Sequence, residues 1–292
     1  MTTYLGPVGA LVAMPDNGGL KRNVAIPTSV HEIAGTKGGR VVDRVGAAKA
    51  TYSVDLAGMT LDELSLWECA ALGAYGPGPH VLLEPWRRNL LSANQSTATD
   101  ALRDTTGFVA NAGTITSSTA QFDAPGMRSL AWAVTAANQQ VLTGNLSSVT
   151  ASDDTIDIPV LPNTVYSARV RGRLSTSTGT ARLDMRWFTA AEAFISESTG
   201  TATALSTAAF TDMPCANITS PSNAALLRLK AQNTVMGAAQ TIYLDKWQLQ
   251  TGATLDAWTI GTGVPRVCFV EGFDQSYPVW PYVNGSITLV EV

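Results

Sequence analysis

The chain has 292 residues, with 45% hydrophobic and 14% charged residues and a formal net charge of −4. That length holds one large or two ordinary domains, and the acidic balance excludes a general electrostatic footprint for nucleic acid. Charge is scarce against a globular norm of about 25%, so neutral Ser, Thr, Ala and Gly must cover the surface, as in "TATALSTAAFTD" and "RLSTSTGTARLDM".

Residues 1–58 read as β. "NVAIPTSV" and "ATYSVDLAG" alternate apolar and polar residues between Gly, Pro and Asn breakers, and the Gly-rich "GTKGG" runs into a strand at "RVVDRVG". One helix follows. Thr60 is an N-cap with Glu63 three residues on, a capping box, and Leu61, Leu64, Trp67, Ala70 and Ala71 keep helical spacing until Gly73 and "GPGP" stop it. "HVLLEPW" is a further short strand.

The texture changes at "RRNLLSANQSTATD". From 89 to 263 the chain is rich in Ser and Thr and carries strand-length runs: "SLAWAVT", "DTIDIPV", "VYSARVRGRL", "ARLDMRWF", "ALLRLKAQN" and "TIYLDKWQLQ". In "ARLDMRWF", Leu183, Met185 and Trp187 share one face, and Arg182, Asp184 and Arg186 the other. In "TIYLDKWQLQ", Ile242 and Leu244 lie opposite Tyr243 and Asp245. Turn signals separate the runs, which is the pattern of an all-β sandwich. After Gly263 the texture reverts: "VPRVCFVEGF" and "GSITLVEV" match the N-terminal runs. The expected organisation is therefore all-β with one flanking helix. A discontinuous domain of residues 1–88 and 264–292 would carry an inserted sandwich of residues 89–263.

Two stretches resemble known families. The opening Asn89–Leu91, the strand through Trp187–Phe188, and the closing Asp245–Gly252 leading to Ala257–Trp258 resemble the carbohydrate-binding-module-like jelly rolls of phage tail proteins, with Gln250 where an acidic residue is usual. The flanking residues, through "TLDEL" and "ALGAYGPGPHVLLEPWRRN", look like the tail-tube and distal-tail fold of siphophage tails. This resemblance implies a β-barrel or sandwich that assembles into a ring, most simply a hexamer. It also implies a distal-tail or minor tail protein of the virion, made in the host cytoplasm. Its partners would be copies of itself, the tail tube, the tape measure and the tail hub, with host-surface glycans as ligand.

No recognised catalytic motif stands out in the sequence. His31 and His80 sit in no recognisable motif and read as surface or loop residues, and no phosphate-loop, zinc-protease or EF-hand pattern occurs. A glycosidase would need paired carboxylates, for which Asp153, Asp154, Asp157, Asp184 and Glu192 are the candidates. Sugar binding needs aromatic faces and neutral polar groups. Trp132, Tyr166 and Trp187 are the named stacking candidates, from a supply that includes Phe188, Phe194 and Trp247, with a core position as the alternative for each. Arg171 and Arg186, with Arg169, Arg173 and Arg182, would line one sheet face. The resemblance further implies a structural calcium near the sandwich termini, with Asp245 and Asn89 or Asn94 as oxygen ligands, unless these are simply solvated. Lys37, Arg40 and Arg44 are candidates for subunit contacts.

Cys69, Cys215 and Cys268 are widely spaced, with no C-x-x-C pair, and are expected to be buried free thiols rather than zinc ligands. No run of about 18 apolar residues predicts a membrane span. The start "MTTYLGPVGALVAMP" lacks a basic n-region, so no signal peptide is expected. Two further readings stay open: an extracellular glycan-binding accessory protein or glycosidase, and a tube subunit whose extra domain is only a spacer.

Overall fold

The computed structural model describes residues 2–15, 20–25, 28–33, 39–44, 49–76, 78–144, 157–269, 274–279 and 282–292, with 24–25, 28–33, 39–44, 49 and 274–279 described for their backbone alone. The chain divides into two compact units, Met1–Leu82 with Pro265–Val292, and Leu83–Val264.

The N-terminal segment forms β1 (Thr3–Gly6), β2 (Val12–Met14), β3 (Leu20–Ala25), β4 (Thr28–Ile33), β5 (Gly39–Arg44), β6 (Lys49–Met59), α1 (Leu61–Ala71) and β7 (His80–Leu83). The middle of the chain forms α2 (Ala93–Ser96), β8 (Phe108–Ala110), β9 (Thr114–Ser118), β10 (Ser129–Val134), β11 (Gln140–Thr143), β12 (Ile158–Pro159) and β13 (Val165–Leu174). There follow β14 (Gly179–Phe188), β15 (Phe194–Thr199), β16 (Thr203–Ala204), β17 (Thr211–Thr219), β18 (Leu226–Met236) and β19 (Gln240–Thr251). The last segment adds β20 (Arg266–Phe269), β21 (Asp274–Val279) and β22 (Tyr282–Glu291).

In the first unit the strands run in the order β2-β1-β7-β20-β22-β6-β3, with β21 beside β22 and β4–β5 as a separate hairpin. The C-terminal strands β20 and β22 are therefore internal to the sheet. β22 pairs antiparallel with β6, setting Ile287 opposite Val54 and Leu289 opposite Tyr52, and on its other side with β20. These residues, with Leu5, Met14, Trp67 and Val267, form the buried core. The helix forms where its cap specifies. The Thr60 side chain accepts from the Glu63 N–H at 3.3 Å, and Glu63 accepts from the Thr60 N–H at 2.9 Å. Trp67, fully buried, donates its indole N–H to the Pro15 carbonyl at 2.9 Å.

The second unit is a sandwich of antiparallel sheets, β17-β13-β19-β10-β9 and β15-β14-β18-β11-β8, with β12 beside β18 and β16 beside β14. Leu183, Met185 and Trp187 of one sheet meet Trp132, Tyr166 and Trp247 of the other in the core, all at 0% exposure, with Tyr166 and Trp187 ring centroids 5.9 Å apart. The opening residues are zipped to the closing strand. Asn89 donates to the Trp247 carbonyl at 3.0 Å and accepts from the Leu249 N–H at 3.2 Å, while the Leu90 N–H donates to the Leu249 carbonyl at 2.8 Å. The short α2, which the sequence reading does not include, has its own capping box between Ser92 and Gln95.

The alternation expected along "TIYLDKWQLQ" holds only for its first half. Ile242 and Leu244 are buried, but so are Trp247 and Leu249, one residue out of phase. The reason is a β-bulge. Arg171 pairs with Asp245 and Arg169 with Gln248, so β19 carries one extra residue, and Lys246 adopts φ +50°. Asp245, opposite Leu244 on the strand, is nevertheless 2% exposed, because the Asp123 segment covers it and donates its N–H to it at 2.8 Å.

Because Val283, Ile287 and Leu289 of β22 are core residues between two sheet neighbours, deleting residues 280–292 should abolish the melting transition of the first unit. The sandwich transition should persist in differential scanning calorimetry.

Candidate functional site

The outward face of β14 and β18 is unusual for a sandwich. The register sets Arg182 opposite Gln232, Asp184 opposite Lys230 and Arg186 opposite Arg228. A solvated face would show these side chains exposed, yet Asp184 is 0%, Arg228 2%, Lys230 3% and Gln232 8% exposed. β18 is buried on both faces for eight successive residues. The charged row is thus a recessed floor, and ions there persist only if paired.

They are paired, in two groups. Asn138 accepts from Gln232 at 3.3 Å, Gln232 accepts from Arg182 at 3.0 Å, and Arg182 reaches Asp184 at 3.1 Å. Lys230 bridges Asp184 at 2.9 Å and Glu197 at 2.5 Å, and Arg186 lies 3.4 Å from Glu197. At the far end Arg228 grips Asp157 with both prongs, at 2.6 and 2.5 Å, and reaches Glu192 at 3.4 Å. Aromatic rings close that end. Phe188 packs edge-on against Phe194 at 5.8 Å, Arg228 lies 4.4 Å over Phe188, and Arg186 lies 5.1 Å over Phe194. Phe194 remains 53% exposed. The Arg186, Glu197 and Arg182 side chains keep 26–28% of their surface open.

The candidate stacking residues are corrected by burial. Trp132, Tyr166 and Trp187 are 0% exposed. Their polar atoms are spent internally: Trp132 donates to the Ala112 carbonyl at 3.1 Å, Trp187 to Ser198 at 3.0 Å, and Tyr166 accepts from the Leu161 N–H at 2.8 Å. Alternation puts large rings on the inner face because the sandwich core is where their area is removed from water. Arg186 stands on the recessed face. Arg171 does not; it belongs to the other sheet, paired with Asp123 and, through Nε, lying 3.2 Å from Asp212. Lys37, Asp153 and Asp154 lie outside the described residues, and Arg40 and Arg44 are placed only as backbone positions in β5, opposite Glu32 and Thr28. Among the residues that sequence reasoning did not single out for the site, Arg228, Lys230 and Gln232 were nevertheless signalled, at period two in "RLKAQ". Glu197 carried no such signal.

Asn89 and Asp245 do not fit a calcium ion. Both faces of the Asn89 carboxamide are consumed by backbone: its oxygen accepts from Leu91 and Leu249, and its nitrogen donates to Trp247 and Thr259. The Asp245 oxygens accept from the Asp123 N–H at 2.8 Å and the Lys246 N–H at 2.7 Å. Lys246 lies 2.9 Å from the Asp123 carboxylate, so a cation already stands there. No group of three His, Cys, Asp or Glu side chains suited to a metal occurs among the described residues. Asn94 is likewise engaged, donating to the Thr106 carbonyl at 2.7 Å and accepting from the Leu102 N–H at 3.0 Å.

Two other expectations change. His80 is 4% exposed, not a surface residue; burial lowers its pKa, and its ring meets Phe269 edge-on at 5.9 Å. Of the three free cysteines only Cys215 is buried, Cys69 being exposed. Burial, reinforced by the Asp184 charge, pushes the Cys215 thiol up to about 12, which leaves it inert.

No family model matches the sequence, and no curated protein matches it. Among solved structures, the C-terminal family 22 carbohydrate-binding module of Clostridium thermocellum Xyn10B is similar at 12% identity and TM-score 0.44, covering 59% of this chain and 100% of that one. TmCBM61 in complex with β-1,4-galactotriose is similar at 10% identity and TM-score 0.38, covering 57% and 100%. The enzymatically active domain of bacteriophage CBA120 tailspike protein 4 is similar at 10% identity and TM-score 0.40, covering 58% and 22%. These similarities are too distant to assign a site, and the reading of the face rests on its own side chains.

Two predictions follow from burial. Trp187→Ala should cost about 3–5 kcal/mol in denaturant unfolding, the magnitude for emptying an aromatic core position. The Asp245 carboxyl is pushed up to about 7, first by desolvation and further by the Asp123 charge, against the pull of the two backbone N–H groups and Lys246. The folded pKa exceeds the unfolded one, so this group stabilises the fold at acid pH. That contribution is lost as pH rises from about 4 to about 7, at up to about 1.4 kcal/mol per unit. Asp245→Asn should therefore gain stability relative to the parent between pH 4.5 and pH 8, read as denaturant midpoints.

Proposed function

We propose that the protein is a structural component of a phage tail, in which the first unit assembles as a ring and the sandwich binds glycans of the host surface. The observation that carries the glycan reading is the recessed face of β14, β15 and β18. It combines an open ring, Phe194, with polar groups held in place by one another. A pyranose offers an apolar C–H face and a rim of hydroxyls. Phe194 suits the first, and Arg186, Glu197 and Arg182 suit the second.

The face suits adhesion better than hydrolysis. Glycosidic cleavage needs a carboxylic acid kept protonated beside a second carboxylate. Here Asp184 and Glu197 share Lys230, and Asp157 and Glu192 share Arg228, so every carboxylate of the face has a cation at hand. Such groups accept hydrogen bonds from hydroxyls. Weak single-site binding becomes strong when a ring, in our reading a hexamer, repeats it. The tail tube, tape measure and tail hub are then the ring's neighbours, the virion its location, and Lys37, Arg40 and Arg44 its candidate subunit contacts. The same face serves a glycan-binding accessory protein equally well. Solution mass separates the two: a tail ring requires a closed oligomer, an accessory module does not.

A glycan array probed with the full chain should give hits. Phe194→Ala and Arg186→Ala should each weaken the best hit by about tenfold, the loss of about 1.4 kcal/mol. Melting temperatures should stay near the parent's, because both side chains reach solvent. An empty array at high protein concentration would leave the sandwich as a spacer.

A further inference from the structure

At one end of the five-stranded sheet lies a second charged cluster, which the glycan reading does not use. The β19 bulge turns Lys246 into the left-handed region, φ +50°, which an L-residue adopts at a cost. The strain places its ammonium on a ready set of oxygens. Lys246 Nζ lies 2.9 Å from Asp123 Oδ2 and donates to the Ala124 carbonyl, and its side chain is 14% exposed. The indole of Trp258 lies 5.8 Å away. Arg171 binds the same Asp123 carboxylate from the neighbouring strand.

We propose that Lys246 is the resident cation of this site: its ammonium stands where a divalent ion would otherwise neutralise Asp123, and the site takes no calcium. Three observations support the assignment. Calcium takes six to eight oxygen ligands, whereas the Asp245 oxygens here each already accept a backbone N–H, from Asp123 at 2.8 Å and from Lys246 at 2.7 Å. Asp123 already faces two positive charges, so a divalent ion would enter against both. The adjoining cavity of about 90 Å³ is lined by Pro125, Trp258 and Ile260 beside Asp100, Asp123 and Asp245, and Asp100 too already accepts a backbone N–H, from Met127 at 3.2 Å. The inference stands whether or not the sandwich binds glycan.

The test is a set of thermal melts of the full chain in calcium and in EDTA, with calorimetric titration of calcium. The parent should melt at one temperature in both and show no calcium binding heat. Lys246→Met keeps the stem over Trp258 and removes the charge. It should melt lower by roughly 4 °C or more, while Lys246→Arg, which keeps the charge, should stay near the parent. Were Lys246→Met to fail to fold, the parent titration and Lys246→Arg would still decide. A parent stabilised by calcium, or a Lys246→Met variant as stable as the parent, would overturn the proposal.

Discussion

Lys230 and its two carboxylates set the terms for the sandwich. An ammonium at 3% exposure is tolerable only because Asp184 at 2.9 Å and Glu197 at 2.5 Å surround it. Those partners come from β14 and β15, so the bridge fixes the relative positions of three strands. Arg182, Arg186 and Gln232 are then held by the same carboxylates and by each other. A hydrophobic floor of the same volume would be as stable or more so. A charged one makes sense where the face has something to recognise, since polar groups fixed in advance lose little freedom on meeting a ligand.

The inner face of the same strands does the opposite work. Trp187 stands one residue from Arg186, and alternation sends one ring into the core and the other side chain to the floor. The core anchors the strands, and the strands present the floor. At the other sheet, the Asn89 clamp joins the first residues of the sandwich to its last strand. Beginning and end of the module are thus tied together, which lets it interrupt the chain between β7 and β20 while those two strands still pair in the sheet of the first unit.

Much of this was legible in the sequence. The helix and its cap at Thr60 and Glu63 follow from local chemistry, and β13 covers the very run "VYSARVRGRL" that alternation marks out. The all-β character, too, is written in short alternating runs. What escaped is whatever depends on a third dimension. Alternation sets Trp187 with Leu183 and Met185 on the apolar face, and of the two roles open to these rings, core or ligand contact, the core is the one they take. A one-residue bulge at Lys246 leaves no local signal, and it reverses the phase of the strand beyond it. Glu197 and Lys230 meet across thirty-odd residues, and no spacing rule anticipates that.

Hydrogen exchange on the full chain, with and without the tightest oligosaccharide from a glycan array, tests the central claim most directly. The account predicts slowed exchange confined to 182–199 and 226–232, the strands that carry Arg186, Phe194, Glu197 and Lys230. Protection elsewhere on the sandwich, with none on these strands, would contradict it.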